Sequence, residues 1–209
     1  MTLSGGCFGG VGRWRKDWVT RVTGNTGEEV MPKIPAIETI YKGYKFRSRL
    51  EARWAVLMDE FYAYYKSRGL DEILWEFKWQ YESEGYDLPS GRYLPDFWIA
   101  GVVFHEVKPE NMWIDAQRYC SQESFSIGNL PRELQLAKEL TIVTGKTIIV
   151  SYGDPLFVYE NGSIITIDDG KFRSVGTDLA LSYFSHDCFQ EIAEIARQAR
   201  FEHGQSGAR

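Results

Sequence analysis

The sequence is poor in cysteine, in excess positive charge and in long apolar runs. Its 209 residues include only 3 cysteines, none of them in a Cys-x-x-Cys pair, so a disulfide framework or four-cysteine zinc site is not expected and a reducing compartment is favoured. Acidic residues outnumber basic ones by 29 to 24, which excludes a general basic coat for nucleic acid but not a local basic patch. No apolar run reaches the roughly 20 residues that span a bilayer. The start of the chain also lacks the charged-then-apolar pattern of an export signal. We therefore expect a cytoplasmic protein without a membrane partner.

What the sequence has is an ordinary globular composition. Hydrophobic residues make up 44% and charged residues 25%, which is enough to bury a core without disulfide staples. Residues 1–39 predict an N-terminal arm or extension, which either touches nucleic acid or is a solvated tail. Patterned sequence then predicts a core over residues 40–152, with a hairpin and a helix appended to it over residues 153–209.

Apolar periodicity predicts the elements of this core. Spacings of three and four residues predict a first helix from Ser48 to about Arg68, with Ser48 as N-cap and Glu51 in a capping-box position. Alternating aromatic residues predict a strand over 73–81. The other expected elements are strands over 92–99 and 102–108 that form a hairpin, a short helix near 115–120, a helix over 131–144, a buried strand over 147–152, a hairpin over 156–167 that turns at Asn161-Gly162, and a helix over 187–203. This order predicts an α/β fold with a mixed central sheet flanked by helices.

Three charged residues stand at or near strands that are otherwise apolar. Asp96 follows Pro95, and Glu106 and Lys108 come ten and twelve residues later. Because strand side chains alternate, Glu106 and Lys108 share one face, where an unpaired charge is costly. Asp96 can join that face only if the hairpin loop has an odd number of residues or contains a bulge. Carboxylate oxygens of this kind suit Mg²⁺, and the lysine would orient or activate an attacking water.

The pattern Pro95-Asp96, followed ten positions after Asp96 by Glu106-x-Lys108, resembles the signature of the PD-(D/E)XK nuclease superfamily. Tyr-x-Pro-Asp-Phe followed by Glu-Val-Lys-Pro most resembles the endonuclease subunit of heteromeric transposases, and residues 47–55 resemble the first helix of small phage-borne nucleases. The resemblance covers roughly residues 40–152. It implies a restriction-endonuclease-like core of helix, three strands, helix and strand. It also implies a Mg²⁺- or Mn²⁺-dependent endonuclease that hydrolyses phosphodiester bonds in DNA, in a bacterium or a phage-infected host cell.

The resemblance implies a role for each matching residue. Asp96 and Glu106 would hold the metal, with the Val107 carbonyl as a third protein oxygen. Lys108 would be the catalytic lysine. Glu51 matches an acidic residue that acts near the metals, usually through water, although it is equally well explained as the acid of a capping box. A weaker match, to a polar helper on the following helix, falls on Gln135 and Lys138.

Charge is distributed unevenly along the chain. Residues 42–53 hold five basic residues against one acid, a local net charge of +4, whereas residues 71–87 hold six acids against one lysine, a net charge of −5. The basic segment either holds phosphates irrespective of base sequence or is the solvated entrance of a helix. The predicted nucleic-acid contacts in it are Lys45, Arg47, Arg49 and Arg53.

Two alternative functions remain open. The first is a non-catalytic module on the same fold that binds nucleic acid or protein, against which the intact Asp-Glu-Lys set argues. The second is an endonuclease subunit that needs a targeting partner, for which residues 153–209 could provide the surface. DNA is the expected partner, with a protein partner or a homodimer as further alternatives. In the simplest structural interpretation, Asp96 is only a turn residue, and Glu106 and Lys108 are an ion pair on an edge strand.

Overall fold

A computed structural model describes residues 36–120, 130–173 and 188–201. Nearly all of the predicted N-terminal arm therefore lies outside the described residues, as do parts of the C-terminal segment. Within the described residues the chain is mixed α/β, with a mixed six-stranded sheet flanked by helices. None of the helices in these three ranges is long and apolar enough to cross a membrane.

The elements follow one another through several short hairpins. β1 (Thr39–Tyr41) and β2 (Tyr44–Phe46) form a hairpin that leads into α1 (Arg49–Ser67). A 3₁₀ helix (Asp71–Phe77), β3 (Trp79–Tyr81), a hairpin of β4 (Tyr86–Leu88) and β5 (Gly91–Tyr93), β6 (Phe97–Ile99) and β7 (Val103–Lys108) come next. The rest is a 3₁₀ turn (Glu110–Met112), α2 (Trp113–Cys120), α3 (Arg132–Thr144), β8 (Thr147–Tyr152), α4 (Pro155–Asn161), β9 (Ile164–Asp168), β10 (Lys171–Arg173) and α5 (Phe189–Gln198).

The central sheet has the strand order β10-β9-β8-β7-β6-β3. β7 and β8 run parallel, and the other neighbouring strands are antiparallel. Ile99 pairs with Val103 and Phe97 pairs with His105, so the β6–β7 loop is the three residues 100–102. The predicted odd loop is confirmed. The predicted strand over 92–99 is wrong in its extent, because residues 94–96 separate β5 from β6 and β5 pairs with β4 instead.

Helices cover both faces of the sheet and enclose two apolar cores. One core packs α1, α4 and α5 against side chains such as Val103 and Val107 of β7. The other packs α3 and the β4–β5 hairpin against Phe104 and against Val150 of β8. Because β7 alternates, its residues Glu106 and Lys108 lie on the Phe104 face, which is covered by α3.

The predicted helices and the buried strand in the core are confirmed. α1 begins after Ser48, whose Oγ accepts the Glu51 N–H at 3.2 Å, as the capping-box pattern predicts. α3 ends at Gly145, which has the left-handed backbone (φ 64°) that favours glycine. β8 is a short apolar strand with five of its six residues buried. α2 covers the predicted range near 115–120 and begins two residues earlier, and α5 lies within its predicted range.

The strand predicted over 73–81 is wrong in its first half. Residues Asp71–Phe77 form a 3₁₀ helix, and only Trp79–Tyr81 is a strand. Leu74 and Phe77 are the buried residues of that helix. Residues three apart lie directly above one another in a 3₁₀ helix, so these two bury one narrow stripe.

The hairpin predicted to turn at Asn161-Gly162 is also wrong. The Asp154 carboxylate accepts the N–H groups of Leu156 and Phe157, and Pro155 occupies the first turn, so a helix starts here. Gly162 ends it with a left-handed backbone (φ 59°). The hairpin in this region is β9–β10, whose facing pair Asp168 and Lys171 places the turn at residues 169–170. β9 pairs with β8, so this segment continues the central sheet.

Candidate active site

Asp96 and Glu106 meet at the point where β6 begins beside β7. The backbone N–H of Asp96 lies 3.3 Å from Oε2 of Glu106 and donates to it, and Oδ2 of Asp96 accepts the N–H of Val107 at 2.7 Å. Asp96 is 1% exposed and Glu106 is 3% exposed. The odd loop predicted this arrangement, because the β6–β7 register extended by one residue sets Asp96 opposite Glu106. The two side chains predicted as metal ligands, Asp96 and Glu106, therefore belong to residues in direct contact.

Lys108 lies against the same pair of carboxylates. Its Nζ is 2.5 Å from Oε1 of Glu106, and the side chain is largely buried. Burial acts to lower the pKa of Lys108, but the negative charges of Glu106, Asp96 and Glu133 outweigh it and raise the pKa above its ordinary value. Lys108 is consequently an ammonium ion at neutral pH and a hydrogen-bond donor.

The site carries more negative charge than its own cations balance. Burial raises the pKa of Asp96 well above its ordinary value, and the carboxylates of Glu106 and Glu51 raise it further, although Arg47 and Lys108 act in the opposite direction. The same electrostatics favour a bound divalent cation.

Glu51 is part of the cap of α1, and its charge also lies near Asp96. It lies in the first turn of α1, where its Oε1 accepts the Ser48 hydroxyl at 2.8 Å. Its Oε2 accepts the Tyr81 hydroxyl at 2.5 Å and the backbone N–H of Arg47 at 3.2 Å. Glu51 therefore belongs to the cap of α1, and it is close enough to Asp96 for its charge to raise the pKa of that residue.

Arg47 reaches into the site from the segment between β2 and α1. Its Nη2 bonds to Oδ1 of Asp96, and its Nε lies 2.9 Å from Oε1 of Glu82 and 3.8 Å from Oε2 of Glu51. Burial acts to lower the pKa of Arg47, but the carboxylates of Asp96 and Glu51 raise it overall. Arg47, predicted as a phosphate contact, is thus engaged with three acids.

The other predicted phosphate contacts lie elsewhere along the same stretch of chain. Lys45 forms an exposed ion pair with Glu38, with 2.9 Å between Nζ and Oε2. Arg53 is mostly buried on α1, with Nη1 4.0 Å from Oδ2 of Asp154. Arg49 is the first residue of α1 and is half-buried. Arg47 therefore differs from Lys45 and Arg53 in that its ion pairs include Asp96.

The two helper candidates on α3 belong to other networks. Nε2 of Gln135 bonds to the Ser90 hydroxyl and lies 3.2 Å from Oε1 of Glu139, which ties α3 to the β4–β5 hairpin. Lys138 packs beside the turn at Gly170. The α3 residue whose charge acts on Lys108 is Glu133, in the first turn of that helix.

The residues present fit a hard divalent cation. No group of three His, Cys, Asp or Glu side chains in the described part of the chain is preformed for a metal ion. Mg²⁺, however, needs only one or two carboxylates and keeps several waters, and Asp96 and Glu106 supply two. The Val107 N–H points at Asp96, and a strand residue's carbonyl faces the same side as its N–H. Val107 therefore turns a third oxygen towards the Asp96 side of β7.

Sequence reasoning missed three residues of the site. Tyr81 bonds to Glu51, and Glu82 follows it with a left-handed backbone (φ 45°) and donates its N–H to the Asp96 carbonyl at 2.9 Å. Tyr93 is buried beside both carboxylates: burial raises its pKa well above the ordinary value, and Glu106 and Asp96 raise it further. Glu82 was hidden in a run of acids, whereas Tyr93 stands in the Tyr-x-Pro-Asp pattern and could have been singled out.

Comparison of the chain with protein-family models, with curated proteins and with solved structures gave no match in any of the three.

Proposed function

We propose that the chain is a Mg²⁺-dependent endonuclease of the PD-(D/E)XK kind that hydrolyses phosphodiester bonds in DNA. The observation that carries the proposal is the convergence of Asp96, Glu106 and Lys108 through direct contacts in one buried site. The element order supports it. The chain order includes a helix (α1), three strands (β3, β6, β7), a helix (α3) and a strand (β8) around a mixed sheet, as expected of a restriction-endonuclease-like core. The β4–β5 hairpin is inserted between β3 and β6, and α2 between β7 and α3.

The metal would be held by the carboxylates of Asp96 and Glu106 and by the Val107 carbonyl. When bound, it supplies Lewis-acid stabilisation of phosphate charge and lowers the pKa of a bound water. The protein contributes the fixed geometry of these oxygens: the Val107 N–H holds Asp96, and the Lys108 ammonium holds Glu106. Both carboxylates are buried, so each interaction inside the site is stronger than it would be in water.

Lys108 would act as a fixed hydrogen-bond donor. In hydrolysis the water oxygen forms a bond to phosphorus and loses a proton to the surrounding solvent, the bond from phosphorus to one sugar oxygen breaks, and that oxygen takes up a proton from solvent. Because the raised pKa keeps Lys108 protonated, its ammonium can orient the attacking water and balance charge on the phosphate oxygens.

A non-catalytic binding module is the second candidate, and one observation favours it. Every acid of the site already has a partner within the protein: Arg47 bonds to Asp96, and Lys108 bonds to Glu106. A site paired in this way is stable without a metal. In this case the protein would bind DNA with the same affinity in chelator and in Mg²⁺ and would leave it uncut.

Nicking of supercoiled plasmid DNA tests the proposal. The wild-type protein should nick the plasmid with Mg²⁺ or Mn²⁺ and stop when the metal is chelated. Lys108→Ala should be roughly 100-fold slower or worse, as is typical when a group that stabilises transition-state charge is removed. Lys146→Ala removes an exposed lysine between α3 and β8 and should leave the rate unchanged. A wild-type protein that cuts neither DNA nor RNA, or full activity in folded Lys108→Ala, would overturn the proposal.

A further inference from the structure

The guanidinium of Arg47 lies among the carboxylates of Asp96, Glu51 and Glu82. We propose that Arg47 is an exchangeable counter-ion: it neutralises Asp96 in the metal-free protein, yields that carboxylate to the divalent cation, and then binds a phosphate of the DNA. This inference rests on the proposed function, because it assumes that Asp96 binds a metal ion and that DNA is the substrate.

Asp96 is the shared ligand over which the two cations compete. Its Oδ2 is fixed by the Val107 N–H, so Oδ1 is the carboxylate oxygen that the backbone leaves for a cation. In the present structure Nη2 of Arg47 occupies that oxygen. A metal ion that binds Asp96 there must therefore displace the guanidinium.

Arg47 is exposed enough to move away from Asp96, whereas Asp96 is buried and held in place. The Arg47 side chain is 51% exposed, and it extends from the short segment between β2 and α1, so its head can swing towards solvent on its flexible stem. Asp96 is buried and held through its own backbone by Glu106 and by the Glu82 N–H. The contact is thus between a half-exposed cation and a buried anion.

In a nuclease, the released guanidinium of Arg47 could bind a phosphate of the DNA. Its planar fork of N–H donors matches phosphate oxygens as well as it matches a carboxylate. Glu82, 2.9 Å from Nε of Arg47, would keep the arginine near the site while its Nη groups turn to the substrate. The sequence-based prediction of a phosphate contact at Arg47 then applies to the metal-bound protein.

Two couplings follow. Metal and Arg47 compete, so removal of the arginine should strengthen metal binding. Metal and DNA cooperate, because the metal frees Arg47 for phosphate, and this coupling must be reciprocal. If Arg47 were instead a permanent structural clamp between α1 and β6, its removal would weaken the fold and would not strengthen metal binding.

The first test measures Mn²⁺ affinity without DNA, from the loss of the free-ion electron paramagnetic resonance signal. Arg47→Gln should bind Mn²⁺ about tenfold more tightly than wild type or better, because one competing charge at Asp96 is gone. Arg47→Lys, which keeps the charge but not the fork, should show a smaller increase, and it carries the test if Arg47→Gln does not fold. Arg68→Gln removes the same charge at the far end of α1 and should bind as wild type does.

The second test measures binding to a short DNA duplex with and without Ca²⁺, by fluorescence anisotropy. Ca²⁺ should increase the DNA affinity of wild type more than that of Arg47→Gln. The salt slope of wild type with Ca²⁺ should also exceed that of the variant by about one.

The outcomes separate the inference from the proposed function. Absence of Mn²⁺ binding in every variant would contradict both. Mn²⁺ binding that is equal or weaker in Arg47→Gln and Arg47→Lys than in wild type would overturn the inference alone, and so would an equal effect of Ca²⁺ on DNA binding in wild type and Arg47→Gln.

Discussion

Acid should destabilise the protein through His105. This residue is buried on β7, with Nε2 2.9 Å from the Ser151 hydroxyl and its ring 4.6 Å from that of Trp54. Burial lowers the pKa of His105 to about 3. In the unfolded chain a histidine has a pKa near 6.5. The unfolded state therefore gains a proton below pH 6.5 that the folded state does not, and stability is complete above that pH and falls below it.

The expected size of this loss follows from linkage. Each pH unit between the two pKa values is worth about 1.4 kcal/mol. Between pH 7.5 and pH 5.0 the histidine should cost roughly 2 kcal/mol of unfolding free energy. Folded His105 stays neutral over this whole pH range because its pKa of about 3 lies well below 5.0, so only the unfolded state contributes to this figure.

Urea unfolding of wild type and His105→Gln at pH 7.5 and pH 5.0 measures the effect. Glutamine places an amide near Nε2 and can keep the bond to Ser151, but it does not titrate. Other groups titrate in both proteins and cancel in the difference. Asp96 is one of them, and its raised pKa acts in the opposite direction, increasing stability as pH falls. The stability of wild type relative to the variant should drop by about 2 kcal/mol between pH 7.5 and pH 5.0, and a constant difference would refute the reasoning.

Two further predictions concern the backbone around the site and use the same urea assay. Gly153→Ala should lower the unfolding free energy by roughly 3 kcal/mol, because φ is +106° and a Cβ would lie 2.5 Å from Cδ1 of Phe157. Gly43→Ala, at φ +84° with open space around it, should lower the unfolding free energy by only about 1 kcal/mol. Equal losses in the two variants would contradict the steric argument. Asp154→Ala should cost about 1–2 kcal/mol by removing the N-cap of α4. Asp154→Asn keeps a capping oxygen and loses only charge in the contacts with Arg197 at 3.1 Å and Arg53 at 4.0 Å, so it should cost less unfolding free energy. An equal cost would show that these ion pairs, not the cap, are what matters.

The elements predicted well from sequence are those whose local and tertiary signals agree. α1 has a Ser48 cap, a continuous apolar stripe and a stop near Gly69, and α3 ends at Gly145 as predicted. The elements predicted wrongly have a local signal with two physical uses. Asn161-Gly162 is suited to the left-handed backbone of a hairpin turn and equally to that of a helix C-cap. The segment is a helix because Asp154 caps its N-terminus.

The sequence predicted the part of the candidate site that lies on or next to the β6–β7 hairpin. Asp96, Glu106 and Lys108 are close in sequence, and strand alternation with an odd loop is enough to place them together. The contacts of Arg47 with Asp96 and Glu82 join residues 49 and 35 positions apart. Such contacts depend on how the β2–α1 segment packs against β3 and β6, which no local pattern encodes.

The most direct test of the account is the single-turnover rate of plasmid nicking by Asp96→Asn and Glu106→Gln. Burial and neighbouring carboxylates raise the pKa of Asp96, so removal of its charge should leave the protein folded, as circular dichroism can verify. Each variant should nick at least about 100-fold more slowly than wild type, while Asp87→Asn, an exposed acid on β4, should nick at the wild-type rate. A wild-type rate in folded Asp96→Asn or Glu106→Gln would contradict the claim that these two carboxylates form the catalytic metal site.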